Sequence, residues 1–512
     1  MNEDARFSLR PLPQPGGGKN IPKAHVLQVF VKEKKQKQGS KRTLPFGQKK
    51  KIEDEHVQRK YVNFTSYPTS RPTQIGEYTP MYMDQMPPLV GKPLKMAGFL
   101  AQKFGVPRLL FKLGGRDALC NVRELDKWSE RWDPRVILPS IPQRPCALTD
   151  IMASPESPYV TAMDLQKLYI SGKITPSQVI SNVLEIITTN PTVQQTFVTI
   201  DFLTVLKAAA ASTLRYQKGQ PLSIFDGIPV GVKDEVNVKG LPTTFCCKLA
   251  DFDQNELRSA WAIEKLEEMG SIIIGKTTMH EMGIDNLCIN PVNGVCRNPW
   301  DPSRLSGGSS GGSAFAAAAG LCPITIGADG GGSIRVPASW CGMYGLKASF
   351  GRISNDPRPS FGPDWSANVI GPMAATMQDL EMTYLVMAKQ NPLDALGEAM
   401  PAPSVYCKEK PVLGVYWPWF NDCSPQVLQT CEATLEYFKS AFNAEIVDIE
   451  VPYIHEGRSA SLLTLLAEMA ATFRKFPDTH KLSPATQIMY SIGQIVSVEV
   501  SPSCSTFHAK YD

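Results

Sequence analysis

The stretch that decides the fold reads SGGSSGGSAFAAAAGLCPITIGADGGGSIRVP and covers residues 306–337. It opens with a Gly/Ser-rich loop, and its alanine-rich part predicts a helix over 309–319. The short run 323–326 predicts a buried strand, which leads into three consecutive glycines at 330–332. Consecutive glycines allow the backbone to turn several N–H groups toward one side. The stretch therefore indicates an α/β protein with a candidate site where this strand ends.

The same alternation continues on both sides of this stretch. Thr175-Pro176-Ser177-Gln178 predicts a capped helix start, because Thr caps, Pro favours the first helical position and Gln completes the capping box. Further helices are expected at 202–217, 258–269 and 425–442. Strands are expected at 197–200, 228–232, 271–274, 412–417 and 446–451. This pattern predicts an α/β fold with a central sheet.

The glycines at 330–332 form a candidate oxyanion hole. Backbone N–H groups that point the same way stabilise a developing negative charge. Ser333 follows these glycines and could attack a carbonyl group held there. A Gly-rich loop on its own is more often structural than catalytic, so both interpretations stay open for the loop alone.

A serine nucleophile needs a base, and Lys233 is the candidate. It follows the apolar strand at 227–232, where removal from water favours a neutral amine over an ammonium ion. The alternative is a lysine that reaches solvent from the end of a strand and pairs with Asp234 or Glu235.

Two other motif matches have a structural interpretation. Residues 270–277 match the phosphate-binding loop G-x-x-x-x-G-K-T, but the three isoleucines at 272–274 favour a strand. Residues 307–311 match the nucleophile elbow G-x-S-x-G. However, the proline-containing segment 298–303 does not predict the strand that must precede such an elbow. We therefore expect neither a nucleotide site nor a Ser-His-Asp triad there.

Taken together, these segments resemble the amidase signature family. GGSSGG at 307–312 and GADGGGSIRVP at 327–337, with Gly-Val-Lys-Asp at 231–234 upstream, are similar to the signature of that family. The resemblance covers residues 160–400. Within the family, residues 209–213 and 221–228 are similar to plant-type fatty acid amide hydrolases. The resemblance implies the amidase-signature fold, an α/β architecture with a central mixed twisted sheet flanked by helices on both faces.

The resemblance also implies a Ser-Ser-Lys triad. Ser333 would be the nucleophile, Lys233 the general base in its neutral form, and Ser309 the bridge that passes protons between them. The oxyanion would be held by the N–H groups of Gly330, Gly331, Gly332 and Ser333. No cofactor and no metal is implied.

Four further residues are expected to support this site. Met282 and Ser310 are expected near the substrate, and Ser310 also as structural support of Ser309. Asp329 and Arg335 are expected to orient the Gly-rich loop rather than take part in the chemistry.

Composition and charge limit the function classes. Hydrophobic residues make up 43% of the chain and charged residues 20%, as in a globular protein. Residues 1–60 carry 15 Lys and Arg against 6 Asp and Glu, so the rest of the chain is mildly acidic and nucleic acid is not an expected partner. The 12 cysteines do not have the spacing of a metal-binding site. The sequence has no signal-peptide pattern and no run of 18 apolar residues. These features predict an intracellular protein, cytoplasmic or peripheral on an endomembrane.

Three regions are predicted along the chain. Residues 1–80 are expected to form a disordered, Pro/Gly-rich and basic arm, whose basic run at 32–51 is either an anchor or a solvated segment. Residues 81–150 are expected to form an amphipathic helical segment that packs on or extends the core, and 94–112 could contact a membrane surface. Residues 151–512 are expected to form the amidase domain. Only 179 residues follow Ser333, so we expect this domain to lack a C-terminal part.

The predicted function is hydrolysis of fatty acid amides, N-acylethanolamines in particular, to a free fatty acid and an amine through an acyl-serine intermediate. The expected partner is a small lipid amide, and a homodimer is left open. One alternative is a short-chain amidase, or an enzyme that resembles the amide-hydrolysing subunit of glutamyl-tRNA amidotransferase. An alternative from another class is an inactive lipid-binding or scaffold relative.

Overall fold

The computed structural model describes residues 159–249, 257–357, 366, 368–394, 410–451, 454–474, 476 and 478–499. It also describes four two-residue strands, which are β1 Arg6–Phe7, β2 Val29–Phe30, β3 Arg144–Pro145 and β12 Ser404–Val405. Apart from these strands, the predicted arm at 1–80, the helical segment at 81–150 and the membrane contact at 94–112 lie outside the described residues.

The described core alternates helices and strands. The helices are α1 Ala162–Ile170, α2 Pro176–Thr189, α3 Pro191–Gln194, α4 Phe202–Gln217, α5 Trp261–Glu268, α6 Gly311–Ala318, α7 Arg335–Cys341, α8 Met377–Met387, α9 Trp417–Phe420, α10 Pro425–Phe442, α11 Ile454–Phe473 and α12 Pro484–Glu499. The remaining strands are β4 Phe197–Thr199, β5 Pro229–Lys233, β6 Ile272–Thr277, β7 Ile289–Asn290, β8 Gly294–Val295, β9 Ile324–Asp329, β10 Tyr344–Gly345, β11 Val369–Ala374, β13 Val412–Val415 and β14 Glu445–Asp448.

A six-stranded sheet forms the centre, in the order β10-β11-β9-β5-β6-β4. The three middle strands β9, β5 and β6 are parallel, and the outer strands β10, β11 and β4 are antiparallel to their neighbours. Val232 of β5 pairs with Ile326 of β9, so the carboxyl ends of these two strands lie side by side. This mixed sheet brings residues that follow β5 and β9 to one edge.

The central strands are buried, and most of their side chains are apolar on both faces. Every residue of β5 and β9 is buried, as expected for parallel strands covered by helices. Helix α6 is also buried along its whole length, and its alanines allow it to pack closely on the sheet.

Several expected elements are confirmed. Thr175 caps α2 with the full capping box, and α4 and α10 have the expected bounds. The helix expected at 258–269 starts later, at Trp261, because Ala260 has a non-helical backbone with ψ 145° and is the N-cap. The segment at 270–277 contains the buried strand β6. Helix α6 starts two residues later than expected because Ser309 and Ser310 belong to the loop before it.

The later part of the described chain adds two units. Strands β13 and β14 are parallel and joined through α10, so the expected strand-helix-strand unit at 412–451 is confirmed. Helices α11 and α12 pack against each other, with the rings of Phe473 and Tyr490 in edge contact at 5.4 Å between centroids. None of the helices in the described ranges is both long and apolar enough to cross a bilayer.

Asp379 is a buried carboxylic acid that joins α8 to α1. Its Oδ1 accepts the N–H of Ala162 at 3.0 Å, and its Oδ2 accepts the hydroxyl of Thr376 at 2.8 Å. Burial raises the pKa of Asp379 to about 7, although the bonds from Thr376 and Ala162 act in the opposite direction. The folded protein therefore holds one more proton than the unfolded chain between its ordinary pKa of 3.8 and about 7.

We expect this extra proton to make the free energy of unfolding fall as pH rises from about 4 to about 7, and to level off above that range. Asp379→Asn imitates the protonated acid, because its amide can accept from Ala162 and donate to Thr376. Denaturant unfolding at several pH values should therefore show the variant gaining stability relative to wild type across this window. Parallel stability curves for the two proteins would contradict the assignment.

Candidate active site

The candidate site lies at the carboxyl ends of β5 and β9, beside the start of α6. A cavity of about 150 Å³ opens there. Its lining contains five of the residues that the sequence singled out as catalytic or oxyanion-binding: Lys233, Ser309, Gly330, Gly331 and Ser333. The sheet register therefore brings together segments that are about a hundred residues apart in the sequence.

Lys233 is the last residue of β5 and its side chain is 1% exposed. Its Nζ donates to Ser309 Oγ at 2.7 Å and to the carbonyl oxygen of Ala328 at 3.1 Å. These two acceptors replace water around an amine that cannot reach solvent, because a buried polar group is costly unless it is hydrogen-bonded.

The Lys233 amine also forms an ion pair with Glu235, whose Oε2 lies 2.6 Å from Nζ. The pairing that the sequence left open as an alternative to the catalytic interpretation is thus present, and it occurs together with the bond to Ser309. Asp234 points elsewhere, since it accepts from Thr244 and from the N–H of Cys246 and pairs with the buried amine of Lys276 at 3.4 Å. Lys233 is therefore buried, unlike the solvent-reaching lysine of the alternative interpretation. It also has a charged partner, which the catalytic interpretation does not include.

The loop before α6 holds Ser309 in place through its backbone. The carbonyl oxygen of Ser309 accepts the N–H of His280 at 3.1 Å, and the peptide bond between Gly308 and Ser309 is cis. The next residue, Ser310, donates its hydroxyl to the carbonyl of Ala328 and its N–H to the carbonyl of Ser333, both at 3.1 Å. Ser310 therefore ties the loop before α6 to the loop after β9.

Asp329 organises the glycine-rich loop. Its buried carboxylate accepts the N–H of Gly332 at 2.6 Å and of Ile334 at 3.1 Å, and it forms two bonds with the guanidinium of Arg335. Burial alone would raise the pKa of Asp329, but the bonds from Arg335 and the backbone outweigh burial and hold the pKa below its usual value. Asp329 thus connects the backbone of the glycine-rich loop to Arg335, and an orienting role for these two residues stays a prediction.

The N–H groups expected to bind the oxyanion differ in whether they already have an acceptor within the protein. Gly332 has a φ of +127°, which favours glycine, and its N–H is already bound to Asp329. It is therefore not available to an oxyanion in this arrangement, because the carboxylate needs backbone donors to remain buried. Within the residues that the structure describes, no acceptor binds the N–H of Gly331 or of Ser333.

Ser333 is half-buried and lines the cavity together with Ser309. Within the described ranges, no hydrogen bond joins the two hydroxyls, and the loops are connected through the backbone bond from Ser310. The structure thus places Lys233 and Ser309 in direct contact and Ser333 in the same cavity.

Two residues expected near the substrate lie behind the cavity wall. Met282 is fully buried in an apolar cluster with Phe245 and Met469, because its left-handed backbone at φ +56° turns the side chain into the core. Its neighbours Gly283 and Ile284 line the cavity instead. Ser310 is also fully buried and supports the two loops from behind.

His280 is a buried histidine that interacts electrostatically with Lys233. Burial lowers its pKa to about 4, Asp285 raises it, and Lys233 lowers it further. Its Nδ1 accepts the N–H of Ile289 at 3.3 Å. With a pKa of about 4 the imidazole of His280 is a weak base, and its Nδ1 already accepts a hydrogen bond, which leaves Lys233 as the candidate base.

One side of the cavity is apolar, and the sequence reasoning did not find it. Helix α11 contributes four residues with the spacing of one helical face, which are Leu462, Leu465, Leu466 and Met469. Ile284 and Met489 extend this apolar wall. The spacing L-x-x-L-L-x-x-M was the available signal, but an apolar helical face more often packs in a core than lines a cavity. The cavity lining also contains four polar residues, which are Glu235, Asp285, Asn286 and Asn368.

Comparisons with known proteins show which family this chain is similar to. A family model described as "Amidase" matches residues 178–507. A fatty acid amide hydrolase of Medicago truncatula is 35% identical over 335 residues, which is 62% of this chain and 54% of that protein. A glutamyl-tRNA(Gln) amidotransferase subunit of Chloroflexus aggregans is 38% identical over 325 residues, which is 62% of this chain and 66% of that protein.

A solved structure described as an amidase has the same fold, with a TM-score of 0.58 and 26% identity over 68% of this chain and 78% of that one. The expected fold class, a mixed sheet with helices packed on it, is thereby confirmed. The chain spans about half the length of the fatty acid amide hydrolase that it matches.

Gly312 sets how closely α6 approaches the sheet, and so where Ser309 lies. A Cβ at this position would be 2.5 Å from the carbonyl oxygen of Thr278 and 2.8 Å from that of Thr196. We expect Gly312→Ala to lower the free energy of unfolding by about 1–3 kcal/mol, the usual cost of overpacking, although alanine favours a helix. Denaturant unfolding measures this change.

Gly331→Ala is the matched control, because a Cβ there meets no atom within 4 Å. Its stability should stay within about 0.5 kcal/mol of wild type. Equal effects of the two substitutions would contradict the close packing of α6.

Proposed function

This chain belongs to the amidase family, and from that premise we propose that it is a serine hydrolase that cleaves the amide bond of fatty acid amides. The products are a free fatty acid and an amine. The observation that carries the proposal is the buried contact of 2.7 Å between Lys233 Nζ and Ser309 Oγ, at the wall of a cavity that Ser333 also lines.

In the proposed first step, Ser333 Oγ forms a bond to the carbonyl carbon of the amide. The relay begins once the ammonium that pairs with Glu235 has lost one proton. The proton of Ser333 then passes to Ser309, and the proton of Ser309 passes to the neutral amine of Lys233. The ammonium then returns a proton through Ser309 to the amide nitrogen, the C–N bond breaks, and the amine leaves. Protonation of the nitrogen is needed because an amide anion is a poor leaving group.

In the second step, a water molecule takes the place of the amine. Its proton passes along the same relay, its oxygen attacks the acyl carbon, and Ser333 regains a proton as the fatty acid leaves. Both steps pass through a tetrahedral oxyanion, for which we propose the N–H groups of Gly331 and Ser333 as donors, with Gly330 beside them. Gly332 supports these donors through its bond to Asp329.

The shape of the cavity supports an amide with an apolar acyl part. Leucine and methionine side chains of α11 form part of its lining, and carboxylate and amide groups form another part. Transfer of an acyl chain from water to an apolar wall is favourable, whereas transfer of a small polar amine is not. The likeness to plant fatty acid amide hydrolases supports the same substrate class, and N-acylethanolamines are the members that we propose.

A second candidate is amidase activity on a small polar amide such as glutamine. The 38% identity to a glutamyl-tRNA(Gln) amidotransferase subunit favours it, as do the polar residues in the cavity lining. Turnover of oleoylethanolamide, benzamide and glutamine separates the candidates. Preference for oleoylethanolamide supports the lipid amide, preference for glutamine supports the second candidate, and lipid binding without any turnover supports an inactive relative.

We expect a fluorophosphonate probe to label this chain on Ser333 alone, as mapped by mass spectrometry. Ser333→Ala should abolish labelling and turnover. Lys233→Ala and Ser309→Ala should each lower the rate at least ~10²-fold, because each removes a group that moves a proton in the transition state.

Thermal unfolding of the same variants serves as the control for folding. An adduct on another residue, or undiminished turnover by folded Ser333→Ala, would refute the proposed nucleophile. Full activity of folded Lys233→Ala would refute the relay.

A further inference from the structure

Glu235 is a second buried charge at the candidate site, and the proposed reaction does not yet use it. Its side chain is 2% exposed and lines the cavity. Its Oε2 lies 2.6 Å from Lys233 Nζ, and apart from this ion pair no residue in the described ranges gives that oxygen a hydrogen bond. A carboxylate removed from water in this way is costly unless its partner charge is close.

Asn368 fixes the other oxygen of this carboxylate. Its Nδ2 donates to Glu235 Oε1 at 2.6 Å, and it directly precedes β11. A Cβ placed on Gly330 would lie 3.7 Å from Asn368 Oδ1, so Asn368 stands beside the glycine-rich loop. Lys233, Glu235 and Asn368 thus form a row that runs from the candidate base to the candidate oxyanion loop.

Resting on the function proposed above, we infer that Glu235 is the positioning residue of the base. Its carboxylate holds the Lys233 amine toward Ser309 and stabilises the ammonium that forms when the relay delivers a proton. Asn368 keeps the carboxylate in the orientation that makes this possible.

The inference follows from how serine hydrolases use a base. A base that takes a proton from a serine works best when a third group orients it and balances the charge that it acquires. Here the ammonium is created at a position with almost no water, so a carboxylate in contact lowers the energy of that state. The Ser309 hydroxyl and the Ala328 carbonyl can accept hydrogen bonds from Lys233, but they carry no charge to balance it.

The charged and titratable groups that we identify around this pair come from two segments, the end of β5 and the turn after β6. Lys233 and Glu235 lie at the end of β5, and Asp285 lines the cavity from the turn after β6. His280, on the same turn, interacts electrostatically with Lys233 and stays uncharged near neutral pH. On the β11 side, Asn368 is neutral. Glu235 is therefore the carboxylate in contact with Lys233 among the described residues.

The test measures the rate constant of fluorophosphonate labelling at Ser333 from pH 5 to 9 in the full chain. Glu235→Gln preserves shape and removes the charge. We expect its labelling at the optimum to fall at least ~10²-fold, the scale for loss of an orienting carboxylate. We also expect the acid limb of its profile to move to lower pH by about one to three units, because an ammonium without its carboxylate is easier to deprotonate.

Two variants separate charge from orientation. Asn368→Ala loosens the carboxylate but leaves its charge, so labelling should fall while the acid limb stays in place. Glu445→Gln makes the same substitution at an exposed ion pair with Lys410, at 3.1 Å, and should leave both rate and acid limb unchanged. Thermal unfolding reports whether each variant is folded.

An unmoved acid limb in folded Glu235→Gln would overturn the inference, whether its rate falls or not, because a purely structural residue gives that result. Failure of the proposed function looks different. In that case wild-type Ser333 is not labelled at any pH, which removes the premise of this inference as well.

Discussion

The Lys233 amine has almost no contact with water, and the surrounding structure is arranged to replace the hydrogen bonds that it gives up. Its partners are the hydroxyl of Ser309, the carbonyl of Ala328 and the carboxylate of Glu235. The three partners come from different segments of the chain. The lysine can be buried only where these segments meet. The parallel pairing of β5 and β9 brings them together, because it sets the carboxyl ends of both strands at one edge of the sheet.

This constraint explains the polar connections between the loops. Ser310 joins the loop before α6 to the loop after β9, and Asp329 gathers backbone N–H groups of the glycine-rich loop around its carboxylate. These buried polar groups find their partners within the site, and the loops lose freedom as a result. The consequence for chemistry is preorganisation, since groups that are already oriented need not reorganise during a reaction.

Much of the fold was predictable from local signals. Capping residues and regular apolar spacing predicted α2, α4 and α10, and the three isoleucines at 272–274 predicted a buried strand rather than a phosphate loop. Lys233 was found because it follows an apolar strand. The ion pair with Glu235 does not follow from the sequence alone, because side chains two residues apart share one face only while a strand continues, and β5 ends at Lys233.

Other features depend on contacts that no local pattern reveals. The bond from Gly332 to Asp329 requires the loop conformation, and Met282 turns into the core because of its left-handed backbone. The apolar wall comes from α11, more than a hundred residues after the glycine-rich loop. A leucine-rich helical face looks the same in a sequence whether it packs in a core or lines a cavity.

The central claim is that the buried amine at position 233 acts as a base through Ser309. Chemical rescue tests this claim most directly. Small primary amines are added to folded Lys233→Ala, and the rate of fluorophosphonate labelling at Ser333 is followed. The account predicts that the amines restore labelling, and that the restored rate rises with the basicity of the neutral amine. A Lys233→Ala variant that labels at the wild-type rate, or that no amine can rescue, would contradict it.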